Sequence, residues 1–417
     1  MNVTSSTALL TDRYELTMLD AALQAGTAAE PATFEVFTRG LPAGRQMGVF
    51  AGLGRLLDAI EAFRFGPEEL AWLGEPGVVT PAALEWLAAF EFAGDVDAYA
   101  EGELYTGGSP VLTVEAPFGQ AVLLETLVLS ILNHDSAVAA AASLIARAAA
   151  GRPVIEMGSR RTDAWAAVAA ARAAYIGGLD STSNLEAGRR YGVPTAGTVA
   201  HAFVLSFADE GAAFAAQVKA FGPDSTFLVD TYDMEDGIRR AVEAAGPELT
   251  AIRVDSGDLG VMARRARELL DELGASRTRV IVTGDLDDRA IRALGAAPVD
   301  GYGAGTSVVT GLGAPTAGLI YKLVAVGGRP VAKRSPGKAT FGGRKWAWRV
   351  AGRAEEVVAT SPEAGPDGGR PLQSRVMTAG ARVEGPGTVS LDAARAWHQR
   401  VRDELPAGEA LQLVRAR

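Results

Sequence analysis

The 417-residue sequence contains no cysteine and only three histidines. The absence of cysteine excludes disulfides, thiolate nucleophiles, iron–sulfur clusters and cysteine-based zinc sites. Three scattered histidines also argue against a histidine-rich metal site. The metal that remains to be considered is Mg²⁺ held by oxygen ligands.

Several nucleotide-binding and catalytic signatures are missing as well. The sequence has no G-x-x-x-x-G-K-[ST] segment, and no G-x-G-x-x-G segment lies between a predicted strand and a helix with an acid following. ATP, if the protein uses it, must therefore bind without a P-loop. A G-x-S-x-G segment is also absent, which argues against a serine hydrolase of the α/β type.

Charge and hydropathy exclude further classes. The formal net charge of −10 argues against a nucleic-acid or anionic-membrane surface. The N-terminal segment MNVTSSTALLTDRYELTM lacks the basic and apolar regions of a signal peptide. The apolar stretch at 137–150 is too short for a membrane span and contains Arg147. We therefore expect a cytoplasmic protein with no nucleic-acid and no membrane partner.

The length and composition indicate a two-domain globular protein of the α/β class. Residues 1–150 mix helices and strands, which is typical of an α+β domain. From residue 152 a β-prone run, a polar or glycine-containing loop and a helix recur about eight times, as in a (β/α)8 barrel. The runs are PVIEMGSRR, IGGLDSTSN, PTAGTVAHAF, TFLVDTYD, AIRVDSGD, RVIVTGDL, VDGYGAGTS and LIYKLVAV.

The polar residues of these runs lie where each predicted strand stops. A doubly wound sheet would place its ligand at one switch point, so the spread over many strand ends favours the barrel. We predict an irregular (β/α) barrel over 151–329 as the catalytic domain. A second α+β domain is predicted from 1–150, completed by about 330–417. Within that tail, 355–385 reads as loops.

The segment AIRVDSGDLG is the most informative one. Within six positions at the end of an apolar strand, it contains Arg253, Asp255, Ser256, Gly257 and Asp258. Carboxylates in this position can accept ribose hydroxyls or hold Mg²⁺, and arginine can clamp a phosphate or carboxylate. The alternative is that the Asp-Ser-Gly-Asp turn only caps the next helix.

Similar residues follow other predicted strands. The chemical types that recur are acids and glycines, and an anion could bind to backbone N–H groups of the glycine-rich loop. The positions are Asp230 and Asp233, then Gly284 and Asp285, then Gly301, Gly303, Gly305, Thr306 and Ser307. Together they predict a sugar-phosphate ligand with Mg²⁺. One of Asp287 and Asp288 is predicted to be only a helix N-cap.

Basic residues add candidate anion ligands. Arg160 and Arg161 follow the first barrel strand and could bind a small carboxylate, and Arg39 follows a strand of the first domain. Residues 329–349 contain seven lysines or arginines and no acid. This stretch is either a polyphosphate patch or a charged loop, and a nucleic-acid face is a third, less favoured alternative.

His201 lies in GTVAHAFVLSF, at the predicted mouth of a strand. It is either a core residue with satisfied hydrogen bonds or the group that does the chemistry. His134 and His398 fall in predicted helices and read as packing or surface residues.

These segments together resemble the nicotinate phosphoribosyltransferase family. The resemblance covers about residues 8–350, and several of its strings are long and share one order. They are TDRYELTM, FEVFTRGLPAGR, EMGSRR, GTVAHAFVLSF, VDTYD, RVDSGDL, TGDL and YGAGTSVVTG.

The resemblance implies an enzyme that converts nicotinate and phosphoribosyl pyrophosphate to nicotinate mononucleotide and pyrophosphate in NAD biosynthesis. It implies Mg²⁺, and ATP as a co-substrate that phosphorylates His201, the coupling that gives such enzymes a ligase-type classification. Asp230 or Asp233 would orient the histidine ring. It also implies a homodimer, because Tyr14 would stack on the pyridine ring from the second subunit.

Further site residues are implied residue by residue. Met157, where relatives commonly have an aromatic residue, Arg160 and Thr182 would bind nicotinate, and Asp255 would contact Mg²⁺. The residues implied for phosphoribosyl pyrophosphate, its phosphates and the phosphates of ATP are Arg39, Arg253, Ser256, Gly257, Gly284, Asp285, Gly303, Gly305, Thr306, Lys322 and Lys333.

Other functions compete with this interpretation. A nicotinamide phosphoribosyltransferase would need an acid to accept from the amide near Thr182; Asp180 lies close, but hydroxyls favour the acid substrate. Quinolinate phosphoribosyltransferases are usually shorter and more basic. A sugar-phosphate lyase or epimerase on a barrel is a different class, and a Schiff-base lyase would use Lys322. A binding protein without turnover is the non-enzymatic alternative.

Overall fold

The computed structural model describes residues 6–333, 341–385, 389–406 and 409–416. The chain forms two compact units. The first comprises Met1–Ala140 and Ala314–Arg417, and the second comprises Ala141–Gly313.

Helices and strands alternate along most of the described chain. The helices are α1 (Arg13–Ala25), α2 (Leu53–Glu61), α3 (Pro67–Leu73), α4 (Pro81–Ala88), α5 (Phe118–Val122), α6 (Glu125–Ala149), α7 (Ala164–Ile176), α8 (Leu185–Tyr191), α9 (His201–Leu205), α10 (Glu210–Phe221), α11 (Met234–Ala245), α12 (Leu259–Glu272), α13 (Asp288–Ala293), α14 (Thr306–Val309) and α15 (Leu391–Asp403). The strands are β1 (Pro31–Thr38), β2 (Gly48–Val49), β3 (Asp95–Tyr99), β4 (Leu104–Tyr105), β5 (Leu112–Pro117), β6 (Val154–Glu156), β7 (Ser181–Thr182), β8 (Thr226–Leu228), β9 (Ala251–Val254), β10 (Arg279–Thr283), β11 (Gly301–Ala304), β12 (Leu319–Val326), β13 (Arg329–Pro330), β14 (Trp346–Arg349), β15 (Glu355–Ala359), β16 (Arg370–Pro371), β17 (Gln373–Thr378), β18 (Ala381–Arg382) and β19 (Gln412–Arg415).

The first unit is built on an antiparallel sheet with the strand order β13-β12-β1-β5-β3-β17-β18. Aromatic residues join neighbouring strands across its buried face, where the rings of Phe34 and Tyr321 stack with centroids 4.7 Å apart. Apolar residues of α1, α2, α5 and α6 pack into the same core. Burial of this apolar surface is the main stabilising contribution to such a unit.

Strand β12 corrects the predicted barrel. Its sequence LIYKLVAV is the eighth of the predicted barrel runs, but it pairs antiparallel with β1, with Lys322 opposite Glu35. Its buried residues, such as Leu319, Tyr321 and Val324, are interspersed with partly exposed ones. A strand of this kind suits an antiparallel sheet with one solvated face, whereas the strands of a parallel barrel are buried on both faces.

The tail also differs from the prediction. Residues 355–385 were expected to be loops, yet they form β15 to β18. Strand β17 extends the large sheet by pairing with β3, and β14, β15, β16 and β19 form a separate four-stranded sheet. Frequent glycine and proline suggested loops here, but the tertiary pairing partners outweigh local propensity.

The second unit contains a six-stranded, all-parallel sheet in the order β7-β6-β11-β10-β9-β8. The sheet is a half-barrel, so the α/β class with an irregular (β/α) barrel is confirmed. Helices follow the strands along the chain, and six of them start at a side-chain N-cap, which satisfies a backbone N–H of the first turn. These caps are Asp163, Asn184, Asp209, Asp233, Asp258 and Asp287.

One predicted barrel strand is not a strand. Within PTAGTVAHAF only Thr195 makes an isolated bridge, to Thr182. His201 is the first residue of α9, so it begins a helix and does not end a strand. Pro194 lacks a backbone donor and Gly197 lacks a side chain to pack, which accounts for the missing ladder.

Helix α6 is the one helix in the described residues that is long and apolar enough to cross a membrane. We expected its apolar stretch to be too short, but the helix has 25 residues. In its most apolar window 61% is buried inside the protein, which is typical of a core helix.

Candidate active site

The carboxyl ends of the parallel strands border a cleft of about 230 Å³ in the second unit. Carboxyl ends of this kind carry the active site in barrel enzymes. The cleft is lined by Met157, Arg160, Arg161, Arg253, Asp255, Thr283, Gly284, Asp285, Gly303, Gly305 and Thr306. The fold therefore brings together residues from four separate strand ends, and Thr283 is the one that sequence analysis did not name.

A charged triangle lies in this cleft. The guanidinium of Arg253 donates to Thr283 Oγ1 and to Asp255 Oδ1, each over 2.8 Å. The Thr283 hydroxyl in turn donates to Asp255 Oδ1. Burial raises the pKa of Asp255, but the hydrogen bonds from Thr283 and Arg253 and the charge of Arg253 outweigh it and hold that pKa below its usual value. Asp255 is therefore an anion over a wide pH range.

A second carboxylate, that of Asp230, accepts hydrogen bonds from the loop that carries Asp255. Asp230 follows β8, and its Oδ2 accepts from the Asp255 backbone N–H over 2.8 Å and from the Ser256 hydroxyl over 2.7 Å. Its other oxygen, Oδ1, is buried and has no hydrogen-bond partner in the described residues. Ser256 is thus turned toward Asp230, and Asp230 positions the Asp255 loop.

His201 reaches the same group of residues. Its Nδ1 is 3.1 Å from Thr231 Oγ1, and its Nε2 is 3.7 Å from Asp255 Oδ2. The ring is partly exposed. The structure therefore places Thr231 and Asp255 beside the ring, where sequence analysis named Asp230 or Asp233 as the orienting group.

Glycines permit the close approach of the loops. A Cβ on Gly284 would lie 2.6 Å from the Asp255 carbonyl oxygen, and the φ of Gly284 is +112°. A Cβ on Gly303 would lie 2.5 Å from Thr283 Cγ2 and 2.8 Å from Met157 Sδ. Any larger residue at either position would displace the cleft wall.

Three acids at strand ends have a structural role. Asp233 caps α11 by accepting from the Asp236 N–H over 3.0 Å, and Asp258 caps α12. Asp287 caps α13, which confirms the prediction for the Asp287–Asp288 pair. Helix capping thus accounts for the side chains of these acids.

Glu156 was missed by sequence analysis. It ends β6 with 1% of its surface exposed, and it accepts from the Thr182 hydroxyl over 2.6 Å and from the Gly158 N–H. Burial raises the pKa of Glu156 despite these hydrogen bonds. A carboxylate inside the apolar run VIEM was the signal available, because charged residues are seldom buried without partners.

The partner in this contact, Thr182, is one of the residues expected to bind nicotinate. The residue is fully buried, and its hydroxyl proton is already directed to Glu156. Its oxygen also accepts from the Asn184 N–H over 3.0 Å. Thr182 therefore links the β6 and β7 ends through its hydroxyl.

Met157 and Arg160 line the cleft as the predicted nicotinate ligands would. Met157 and Arg253 also line a second cavity of about 230 Å³ on the sheet, with Ile155, Ile281 and Tyr302 among its other residues. Met157 thus lines both the polar cleft and this largely apolar cavity. Gly257, with a φ of +81°, stands in the loop after β9 but does not line the cleft.

The remaining predicted ligands lie in the first unit. Lys322 Nζ is 3.3 Å from Glu125 Oε1. For Tyr14, burial together with the charges of Glu125 and Glu15 raises the pKa of the hydroxyl. Arg39 lines a cleft of about 350 Å³ after β1. Lys333 follows β13.

Three basic residues of the stretch 329–349 form ion pairs inside the first unit. Arg344 pairs with Asp97 over 2.7 Å, and Lys345 pairs with the buried Glu35 over 2.6 Å. Arg349 is itself buried between two glutamates. These contacts are structural ion pairs, and they account for three of the seven basic residues of the stretch. Of the other four basic residues, Arg329 and Lys333 are exposed, and Arg334 and Lys338 lie outside the described residues.

Comparison with known proteins identifies the family. Residues 9–133 match the family model of the nicotinate phosphoribosyltransferase N-terminal domain. A nicotinate phosphoribosyltransferase of Mycobacterium tuberculosis, pncB1, is 60% identical over 349 residues, with 82% of this chain and 78% of that protein covered. The Bacillus subtilis nicotinate phosphoribosyltransferase is 36% identical, with 83% of this chain and 73% of that protein covered.

A solved structure agrees with these sequence matches. The crystal structure of human nicotinic acid phosphoribosyltransferase superposes with a TM-score of 0.84 at 27% identity, covering 97% of both chains. The order of motifs, the half-barrel and the cleft at its strand ends are all accounted for by one family. This chain belongs to the nicotinate phosphoribosyltransferase family.

Proposed function

We propose that the chain transfers the phosphoribosyl group of phosphoribosyl pyrophosphate to nicotinate, giving nicotinate mononucleotide and pyrophosphate in NAD salvage. The observation that carries this proposal is the cleft in which Arg253, Asp255 and Thr283 form one hydrogen-bonded group beside the loops at Gly284 and Gly303. The cleft thus offers a carboxylate, an arginine and closely approached backbone to a sugar phosphate.

The chemistry requires little proton transfer. The ring nitrogen of nicotinate attacks C1 of the ribose, and the bond from C1 to the pyrophosphate oxygen breaks with its electron pair leaving on pyrophosphate. Positive charge develops on the ribose, and the depressed pKa of Asp255 keeps a carboxylate available to stabilise it. The nitrogen lone pair is already free, so no general base is needed. Arg253 and Arg160 supply positive charge in the same cleft.

Mg²⁺ fits this cleft only as an ion shared with substrate. Among the described residues, no group of three or more histidine or acidic side chains could hold a metal by itself. Mg²⁺ is usually held by one or two carboxylates together with phosphate oxygens and waters. Asp255, whose Oδ2 is not used in the triangle, is the residue that would contact it. When bound, the ion would neutralise charge on the leaving pyrophosphate.

ATP is proposed as a co-substrate that phosphorylates His201. An Nδ1–H donated to Thr231 would leave the Nε2 lone pair free on the side of Asp255. Attack by Nε2 forms the nitrogen–phosphorus bond while the bond to ADP breaks. Hydrolysis of the phosphohistidine then returns the ring and phosphate. The step accounts for a ligase-type reaction without a P-loop, and the histidine is not the nucleophile toward ribose.

Nicotinate would bind through its carboxylate to Arg160 and through its ring to Met157, because a thioether contacts an aromatic face favourably. The nicotinamide alternative needs a free carboxylate near β7. Asp180 instead accepts from the Val154 N–H over 2.8 Å at the opposite, amino end of β6. This contact favours the acid substrate over the amide.

The position of Lys322 argues against the lyase alternative. A Schiff-base lysine of a barrel enzyme stands on a barrel strand, whereas Lys322 belongs to the antiparallel sheet of the first unit and is 3.3 Å from Glu125. Arg39, Lys322 and Lys333 are kept as proposed contacts of polyphosphate. Tyr14 is proposed to contribute to the active site of a second copy in a cytoplasmic homodimer.

One assay tests the function. Purified protein is incubated with phosphoribosyl pyrophosphate and Mg²⁺, with nicotinate, nicotinamide or quinolinate, each with and without ATP. We expect mononucleotide and pyrophosphate with nicotinate, and stimulation by ATP. Turnover with nicotinamide alone would overturn the substrate assignment.

Two variants separate the roles of His201 and Lys322. His201→Ala should remove the stimulation by ATP while leaving slow basal transfer. Unchanged stimulation would place the phosphoryl acceptor elsewhere. Complete loss of activity in Lys322→Ala, with His201→Ala unaffected, would support the lyase.

A further inference from the structure

Glu15 is a buried acid in the segment TDRYELTM that the proposed mechanism does not use. It is the third residue of α1, and it is fully buried. Three donors meet its carboxylate: the Thr11 hydroxyl donates to Oε2, whereas the Thr126 hydroxyl and the Thr126 N–H donate to Oε1, the N–H over 2.9 Å. Burial raises the pKa of Glu15, and these hydrogen bonds oppose the rise because they favour the charged form.

The side chain at the N-cap of α1 does not hold the start of this helix. Asp12 stands at the N-cap, but within the described part of the chain its side chain makes no cap hydrogen bond. The first N–H groups of a helix have no partners inside the helix, so a start without a cap is held less firmly. Glu15 instead fastens the first turn of α1 to Thr11 and to Thr126.

The same carboxylate acts on the start of α6. Thr126 is the second residue of that helix, so its N–H is one of the groups without a partner inside the helix. Glu15 Oε1 accepts this N–H, and the carboxylate therefore lies at the positive end of the helix dipole. One side chain thus fixes two helix starts against each other, although they lie 111 positions apart in the chain.

The two helix starts carry residues that are proposed to act in a second copy or touch them. Tyr14 precedes Glu15 in the first turn of α1 and is exposed. Glu125 is the first residue of α6, and its Oε1 is 3.3 Å from Lys322 Nζ. A ring that stacks on a substrate has to be held accurately, because a misplacement of about 1 Å can cost much of the activity.

We propose that Glu15 is a positioning residue, which fixes the first turn of α1 so that Tyr14 meets the nicotinate ring in the cleft of a second copy. Because Glu15 is fully buried, it acts through Tyr14 and not by touching the substrate. This inference rests on the proposed function and deepens it, since it gives the buried acid of TDRYELTM a role in binding the pyridine.

The kinetic test compares Glu15→Ala and Glu15→Gln with the wild type. Loss of a contact that binds substrate and transition state equally raises KM and leaves kcat unchanged, so Glu15→Ala should raise the KM for nicotinate about ten-fold with kcat within about three-fold. Glu15→Gln should stay within about two-fold, because its amide oxygen accepts from Thr126 and its amide nitrogen donates to Thr11. The Thr11 hydroxyl can then donate to the Leu123 carbonyl oxygen, 3.2 Å away. Glu68→Ala, which removes an exposed first-turn glutamate of α3, should follow the wild type.

Two kinetic results would overturn the inference. One is a wild-type KM for nicotinate in Glu15→Ala, and the other is equal impairment of Glu15→Ala and Glu15→Gln. Thr126→Val is the milder variant if Glu15→Ala does not fold, since it removes one hydroxyl donor and keeps the N–H. It should raise the same KM about three-fold, and an unchanged KM would count against the inference equally.

Mixed dimers separate the positioning of Tyr14 from a role of Glu15 inside its own subunit. Co-expression with two affinity tags pairs a Glu15→Ala subunit with an Asp255→Asn subunit. The intact cleft of the first subunit then receives Tyr14 from the second, in which Glu15 is present. This dimer should show the wild-type KM for nicotinate and about half of the wild-type kcat per dimer, because one of its two equivalent sites works. The raised KM of the Glu15→Ala homodimer would overturn the inference, and so would a monomeric wild type.

Hydrogen exchange tests the contact without turnover. Glu15→Ala should speed the exchange of amides in the first turns of α1 and α6, including the Thr126 N–H, by about ten-fold or more, and Glu68→Ala should not. Unchanged exchange would refute the contact. If the wild type turns over no pyridine, the proposed function fails, while the exchange rates still decide whether Glu15 fixes the two helix starts.

Discussion

His398 makes the stability of the protein depend on pH in a direction that can be calculated. It lies in α15 with 1% of its surface exposed, and its Nδ1 is 2.9 Å from the Gly102 carbonyl oxygen. The approach is possible because Gly102 has no side chain; a Cβ there would lie 2.9 Å from the His398 Cβ. Burial lowers the pKa of His398 from 6.5 to about 4, with Arg402 and Arg395 adding to the fall against the Gly102 carbonyl and Glu103.

The sign follows from proton binding. Below pH 6.5 the unfolded chain binds a proton at this residue, whereas the folded protein does so only below about pH 4. The contribution of His398 to the free energy of unfolding is therefore constant above pH 6.5 and falls as the pH falls from 6.5 toward 4. Each pH unit of difference is worth about 1.4 kcal/mol, so the whole loss is about 3 kcal/mol.

His398→Gln removes this titration. At pH 7.5 the variant should be less stable than the wild type, by about 1–2 kcal/mol, because a packed ring is lost. Between pH 6.5 and 4 the difference should move in favour of the variant by about 3 kcal/mol. Urea unfolding at several pH values measures this difference, with His134→Gln as the control at a partly exposed histidine. A difference that does not change with pH would refute the reasoning.

Three further substitutions test the local geometry. Thr283→Val removes the hydroxyl that donates to Asp255; the pKa of Asp255 should rise toward its usual value and kcat/KM should fall about ten-fold or more, with Thr283→Ser restoring most of it. Gly284→Ala should destabilise the protein by about 1–3 kcal/mol in urea unfolding, because its φ is positive and the new methyl meets the Asp255 carbonyl; a neutral result would contradict the close approach. Thr182→Val should lower the free energy of unfolding by about 1–3 kcal/mol, since the buried Glu156 loses a donor. If Thr182 bound nicotinate directly, a large rise in KM without a change in stability would be seen instead.

The predictable part of the site consists of residues close in sequence. Strand-end patterns such as RVDSGD and VTGD identified Arg253, Asp255, Gly284 and Asp285, because the polar residues after a parallel strand meet at one edge. The same local pattern could not separate Asp255, which faces the cleft, from Asp233, which caps a helix. A place in the cleft and a role as helix cap are both compatible with an acid that directly precedes a helix.

The sequence pattern did not predict the hydrogen-bond partners of Thr182 and His201. The resemblance to the family implies a nicotinate contact for Thr182, but it does not indicate the hydrogen bond from its hydroxyl to Glu156, 26 residues earlier in the chain. His201 was expected at a strand mouth, yet its run makes no ladder and the ring contacts Thr231. Long-range contacts of this kind depend on how loops pack against each other, and the hydrophobic periodicity of the sequence does not predict them.

Strand partners were also decided in three dimensions. The run LIYKLVAV has the length and apolar content of a barrel strand, and only its pairing with β1 assigns it to the antiparallel sheet. The sequence by itself determined the α/β class, the motif order and most residue types of the cleft, because hydrophobic period and turn chemistry act locally. The tertiary structure decided the strand partners and the donors to Asp230 and Glu156, because these depend on contacts between segments far apart in the chain.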